Sequence, residues 1–183
     1  MGVIHRREAD ALILALIERS EGFKPGKTHI QKEMFVVQKL CNVRLPYDFV
    51  IYDYGPYSFD LADALNTLLA IGFVDDVSKT GDMGSRFVLT DEGRNFLKSQ
   101  EEKIKGYYEA LDEAWDLFSG VNVGVLELAA TTIYVIKELG IQDEEKAVGE
   151  VRKIKPQYSE KKAKEFYKIT YDKVIPHFEK KFA

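Results

Sequence analysis

Residues 71–97 constrain the fold more than any other part of this chain. They read Ile-Gly-Phe-Val-Asp-Asp-Val, then Lys-Thr-Gly-Asp-Met-Gly-Ser, then Arg-Phe-Val-Leu-Thr-Asp-Glu-Gly-Arg-Asn-Phe-Leu. Residues 73–77 and 86–89 are short β-rich runs, and Gly81, Asp82 and Gly84 lie in the gap between them, so the segment predicts a two-stranded hairpin. Thr90 then opens a helix. Its hydroxyl is placed to accept from a free amide of the first turn, and Asp91 and Glu92 sit where the helix dipole favours negative charge. A helix closing at Ile71-Gly72, a hairpin and a capped helix therefore follow one another directly.

The same reasoning extends in both directions. Ile4, Ala11, Leu12, Leu14, Ala15 and Ile17 mark an amphipathic first helix, ended near Gly22 and followed by a Lys24-Pro25-Gly26 turn. Thr28-His29-Ile30-Gln31 has the spacing of a capping box, which starts a second helix with Ile30, Met34, Val37, Leu40 and Cys41 as its buried stripe. Residues 49–54 alternate as an extended piece until Gly55-Pro56 breaks it. Ser58 caps a third helix carrying Leu61, Leu65, Leu68 and Leu69. Downstream, a long helical pattern covers residues 91–118, with Leu97, Ile104, Leu111 and Phe118 every seven residues and Tyr108 and Trp115 between them. That is a coiled-coil type of seam, and it needs a partner. The partner is either the next apolar helix, residues 123–139, or the same helix of a second subunit, which would make a homodimer. Helices at 143–153 and at 159–174 complete the chain, the last kinked or stopped by Pro176. The expected class is α+β, mostly α: residues 1–95 with three helices and a hairpin, then a helical C-terminal region, 96–183, that begins with a long helix.

At 183 residues the chain suits one domain or one small domain with an extension, and its 45% hydrophobic content suffices for a core. No apolar run approaches the roughly 20 residues of a membrane span. The start, Arg6-Arg7-Glu8-Ala9-Asp10, differs from an apolar leader, so the expected location is the cytoplasm, with no membrane partner. The single Cys41 excludes an internal disulfide and a multi-cysteine zinc site, and reads as a small buried hydrophobe. Net charge is −4 but unevenly spread: residues 101–145 hold 3 Lys+Arg against 11 Asp+Glu, and residues 146–183 hold 11 against 5. The basic block either neutralises the acidic one before it or contacts nucleic acid.

No signature of catalysis appears. His5, His29 and His177 are isolated, without His or Cys at metal-ligand spacing. Asp75-Asp76 lacks the further carboxylates of a magnesium site, and Gly81-x-x-Gly84 is too short for a phosphate loop and precedes a strand. The expectation is a non-enzyme with no catalytic residue, metal or cofactor.

A Lys-x-x-x-Gln-Lys helix from Lys27 to Lys32, followed by the Tyr54-Gly55-Pro56-Tyr57-Ser58 turn into a helix, resembles the YwgA family of uncharacterised bacterial and archaeal proteins. It is more distantly similar to the Panacea domain of SocA-like antitoxins, which share a Leu-Gln-Lys helix and a Tyr-Gly-Pro turn. The match covers about the first half of the chain. The hairpin and its flanking helices are similar to the wing of PadR- and MarR-type regulators. These resemblances imply a winged helix-turn-helix domain and a regulatory or toxin-neutralising role, and no catalytic residues.

Two kinds of partner then compete. In a helix-turn-helix protein the third helix would read base edges, yet here it carries Asp60 and Asp63, only Asn66 and Thr67 as neutral readers, and no Lys or Arg. DNA contacts would have to come from Lys27, His29, Lys32 and Lys39 around the second helix and from Lys79 and Arg86 beside the hairpin, unless these are ordinary solvated charges. A protein partner, toxin-like or other, would use the tyrosines Tyr52, Tyr54 and Tyr57, which otherwise close the core over the third helix.

Overall fold

Alanine, leucine and isoleucine fill positions 11–17 without interruption, and a helix that is apolar all round must be enclosed by other elements. In the computed structural model, which describes residues 4–183, helix α1 (Arg6–Arg19) is enclosed in this way, with all seven of those side chains buried. Helix α2 (Lys27–Lys39) is the second central element, buried from His29 through Val37. The third is α6 (Val123–Lys137), packed on α2. Five fully buried Leu and Ile side chains on α1 alone, Leu12, Ile13, Leu14, Leu16 and Ile17, each contribute about 1.5–3 kcal/mol of transfer free energy.

The expected hairpin forms. Strands β3 (Val74–Asp76) and β4 (Phe87–Leu89) pair antiparallel, with Val74 opposite Leu89. The side chain of Asp76 straps the loop between them by accepting from the amides of Ser78 and Arg86, which holds its carboxyl down at about 2 although some burial opposes this. Ser58 caps α3 (Phe59–Ala70) through the Leu61 amide, and Thr90 caps α4 (Asp91–Ile104) through the Gly93 amide. Gly93 also sets the approach of α4 to the hairpin, because a Cβ there would lie 2.0 Å from the Phe73 carbonyl oxygen. Gly93→Ala is expected to lower unfolding free energy by about 1–3 kcal/mol in urea titration, since backbone rather than a flexible side chain must yield.

A second hairpin was hidden in the sequence. Beyond β1 (Val50–Tyr52), the Gly55-Pro56 pair does not end the extended segment; it begins the returning strand β2 (Gly55–Tyr57), with Tyr52 opposite Gly55. Proline is tolerated there because a two-stranded ribbon is all edge. The two sheets are separate and two-stranded, so the class is α+β and mostly α.

The predicted continuous helix 91–118 is broken. A 3-10 turn, Lys105–Tyr107, separates α4 from α5 (Tyr108–Phe118), and exposed Gly106, a poor helix former, lies inside it. The seven-residue seam is real, with Leu97, Ile104, Leu111 and Phe118 all buried. Its partner is neither α6 nor a second subunit: α4 packs on α1, and α5 on α2 and α1. These side chains are consumed inside the chain and are not available to the homodimer that the seam suggested. The boundary expected near residue 95 falls inside α4, and one hydrophobic cluster runs from Ile4 to Phe178 across it.

Helices α7 (Glu144–Ile154) and α8 (Glu160–Ile169) and a π turn at Thr170–Val174 pack on α6, and α9 (Ile175–Lys181) continues from the π turn and reaches α5 through Lys181. Pro176 sits in the first turn of α9, after the π turn, so the last helix resumes beyond the expected kink. Charge neutralisation between the acidic and basic blocks is partly visible: Lys155 pairs with Glu127, and Lys181 with Glu109 and Glu113. No helix among the described residues is long and apolar enough to cross a membrane.

Candidate functional site

Gln31 and Lys32 are polar residues in the middle of a buried helix face, so each must find a partner inside the protein. Both reach the segment 53–58. The Gln31 amide bonds Ser58 twice, donating to its carbonyl at 2.9 Å and accepting from its N–H at 2.8 Å. The capping box expected from Thr28 and Gln31 therefore does not form; α2 starts two residues earlier, with Gly26 in place of Thr28 as its N-cap and no side-chain cap. A buried two-way amide–backbone bond, shielded from water, outweighs a solvated cap at a helix end.

Lys32 Nζ donates to the Pro56 carbonyl at 2.8 Å. From the other side Lys155 Nζ donates to the Asp53 carbonyl at 3.1 Å and lies 3.3 Å from the Glu127 carboxylate on α6. Two buried ammonium groups and one carboxylate thus clamp the β1–β2 hairpin from beneath. Gly55, at φ +94°, makes this possible: a Cβ there would stand 2.6 Å from Thr131 Oγ1 on α6. The Lys-x-x-x-Gln-Lys helix and the Tyr-Gly-Pro-Tyr-Ser turn are accordingly two halves of one contact. Burial pulls Lys32 down to about 7, against the attraction of Glu127 and with the repulsion of Lys155.

The clamped hairpin turns its aromatic side chains outward. Tyr52, Tyr57 and Phe59 form a triangle with ring centroids 5.1–5.6 Å apart, two of the three contacts edge-on. Tyr52 is 51% exposed, Phe59 57% and neighbouring Tyr54 61%. The alternative reading, that these tyrosines close the core, fails for Tyr52 and Tyr54, while Tyr57 is half-buried. Phe59, the first residue of α3, completes the triangle from the helix into which the hairpin leads. Beside Tyr57 a cavity of about 60 Å³ opens between α2 and α3, lined by Lys27, Ile30, Gln31, Leu61, Leu65 and Asn66 among others.

The six expected nucleic-acid contacts are scattered. Lys32 is 1% exposed and His29 4%, so neither can meet a phosphate. Lys39, at the far end of α2, is paired with Glu138. Only the remaining three stay accessible. Lys27 and Arg86 are brought near each other, since the Phe87 amide donates to Pro25 and the Arg86 guanidinium approaches Gly26. Lys79 lies in the exposed loop of the same hairpin, where its amide donates to the Asp82 carboxylate.

Two further buried groups lie on another face of α2. His29, packed edge-on to Phe23 with ring centroids 4.7 Å apart, is held at about 4 by burial and by Arg86. Glu33, one turn on, is 0% exposed with no partner for either carboxylate oxygen, and burial alone raises it to about 8. Nothing in the sequence marks Glu33; only the packing around α2 buries it. Cys41 is buried as expected, its thiol donating to the Ala110 carbonyl and pushed up to about 12, mainly by burial.

No protein-family model matches the chain. Over 130 residues, 66% of its length, it is 31% identical to a Bacillus subtilis (strain 168) protein called "Uncharacterized protein YwgA", and it covers 69% of that protein.

Proposed function

The chain belongs to the YwgA family, and we propose that it is a cytoplasmic regulator that works by holding a protein partner on the aromatic face of its clamped hairpin. The observation that carries this reading is the exposed Tyr52–Tyr57–Phe59 triangle with Tyr54 beside it. Rigid aromatic rings supply contact area at little entropic cost and are enriched where partners bind most tightly. Lys32, Lys155 and Gln31 fix the backbone beneath them, so the surface is organised before any partner arrives.

The order α1, α2, α3, hairpin, α4 supports a winged-helix arrangement, and an antitoxin-like role is the sharper form of the proposal. DNA regulation is the second reading, favoured by one observation: the segments carrying Lys27 and Arg86 lie side by side at the β3–β4 hairpin, which also carries Lys79. It is weakened by the burial of His29 and Lys32 and by exposed Asp60 and Asp63 on the helix that would enter the groove.

Two measurements separate the readings. The full chain is expected to give no retardation of duplex DNA at low ionic strength. Retardation that falls with salt at a slope of about −0.9 per phosphate, and that is lost in Lys27→Glu or Arg86→Glu, would replace the proposal with DNA binding. In extracts of the source organism, the native chain is expected to retain a protein that the Tyr52→Ala/Phe59→Ala variant, equally stable by thermal melting, does not.

A further inference from the structure

Between Leu45 and Ser78 the chain has six aspartates and no Lys, Arg, His or Glu. All six, Asp48, Asp53, Asp60, Asp63, Asp75 and Asp76, are exposed, and none takes part in an ion pair among the described residues. Elsewhere the molecule pairs its carboxylates freely; Asp75 and Asp76 lie in the β3–β4 hairpin with Lys79 and Arg86, which leaves the four from Asp48 to Asp63 as a one-signed run of sequence. The aromatic triangle lies in the middle of that stretch. Asp53 adjoins Tyr52 and Tyr54 in the hairpin turn, Asp60 follows Phe59, and Asp63 is close enough to Tyr57 to help burial and Tyr52 raise its phenol.

Resting on the reading that this face holds a protein, we infer that the segment it holds is cationic: a stretch of the partner chain presenting arginine or lysine side chains to the triangle. Aromatic faces carry negative potential and attract a cation within about 6 Å of the ring centre, and a desolvated guanidinium gains more than an ammonium in water. The molecule already uses the chemistry beneath this face, with Lys155 Nζ 6.0 Å from the Tyr54 ring on its inner side. Three carboxylates around three rings extend the attraction over the whole face, and the like charges repel an acidic segment or a nucleic acid. Lys27, across the cavity beside Tyr57, is the one cation lining that pocket. A second copy of this chain is a poorer occupant. Its basic block, 146–183, has six of eleven cationic side chains already engaged in ion pairs of its own.

The test uses the full chain, ¹⁵N-labelled, and three synthetic peptides: Ac-Gly-Arg-Leu-Arg-Gly-NH₂, its Gln analogue and its Glu analogue. The Arg peptide is expected to shift amide resonances confined to residues 50–66, with an affinity about tenfold above that of the Gln peptide and no binding of the Glu peptide. Asp53→Asn/Asp60→Asn/Asp63→Asn should bring the Arg peptide toward the level of the Gln peptide, while Tyr52→Ala/Phe59→Ala weakens both and the Arg peptide more. Equal binding of Arg and Gln peptides on this face would overturn the cationic inference and leave aromatic docking standing. Shifts outside residues 50–66, an unchanged affinity in the triple Asn variant, or no binding of any peptide would each overturn the inference as well. Concentration-dependent sedimentation abolished by the triple Asn variant would assign the face to a second copy instead.

Discussion

Replacing Glu33 by glutamine is expected to stabilise the protein, increasingly so as pH rises from 4.5 to 8. The acid is fully buried, lacks a partner for either oxygen and is raised to about 8 by burial. A carboxyl whose folded-state value is raised binds its proton more tightly in the native than in the unfolded chain. Its favourable contribution is complete below the unfolded value of 4.5 and is lost as pH climbs through 8. Above pH 8 the native protein must bury a carboxylate, and the accumulated difference is on the order of 5 kcal/mol, at about 1.4 kcal/mol per pH unit. Glutamine keeps the shape and removes the charge. Urea titrations of Glu33→Gln and the native chain at pH 4.5, 6 and 8.5 should show a gap that opens steadily with pH. A gap independent of pH would mean that Glu33 finds a partner when ionised. His29 bounds the acid side in the opposite sense. Its folded value is lowered to about 4, so the unfolded state gains the proton first and stability falls as pH drops from 6.5 to 4. The two slopes cancel where they overlap, so these two residues place maximal stability between pH 4.5 and 6.5.

The second large effect is at Glu127. Among the described residues this carboxylate is the only one paired with the Lys155 ammonium, and its charge also favours the protonated form of nearby Lys32. Glu127→Ala leaves the buried Lys155 ammonium without an opposite charge and moves Lys32 further toward its neutral form, and breaking a buried pair in this way costs about 3–5 kcal/mol. Glu127→Leu/Lys155→Met, which removes both charges and fills the space, is expected to cost markedly less than Glu127→Ala alone. A double-mutant cycle by chemical denaturation reads the difference directly. Because Lys155 also holds the Asp53 carbonyl, the aromatic face should loosen in both variants. Faster amide hydrogen exchange in residues 50–58 would report that, and unchanged exchange would show that Gln31 and Lys32 suffice to seat the hairpin.

Much was legible in the sequence because it is local. The β3–β4 hairpin followed from two short β-rich runs around a glycine-rich gap, and the caps at Ser58 and Thr90 from hydroxyls placed just before apolar helices. The burial of Leu97, Ile104, Leu111 and Phe118 was written in their spacing. What covers that stripe was not, because periodicity gives a face and says nothing about its neighbour; α1 and α2 won over α6 and over a second subunit.

The polar residues separate the two levels most sharply. Lys32, Lys27 and Lys39 lie on one short helix and are chemically alike in the sequence, yet one is buried in a charge cluster, one is exposed and one is paired. Gln31 carried the spacing of a cap and became a bridge to Ser58. Side-chain type and spacing determine which hydrogen bonds a residue can make. Tertiary packing decides which of them water is allowed to compete for, and the partner shielded from water wins. The sequence alone thus determined the helices, one hairpin and the tyrosine-rich turn. Only the fold decided that two lysines hold that turn from below, and that its rings, ringed by unpaired aspartates, face outward.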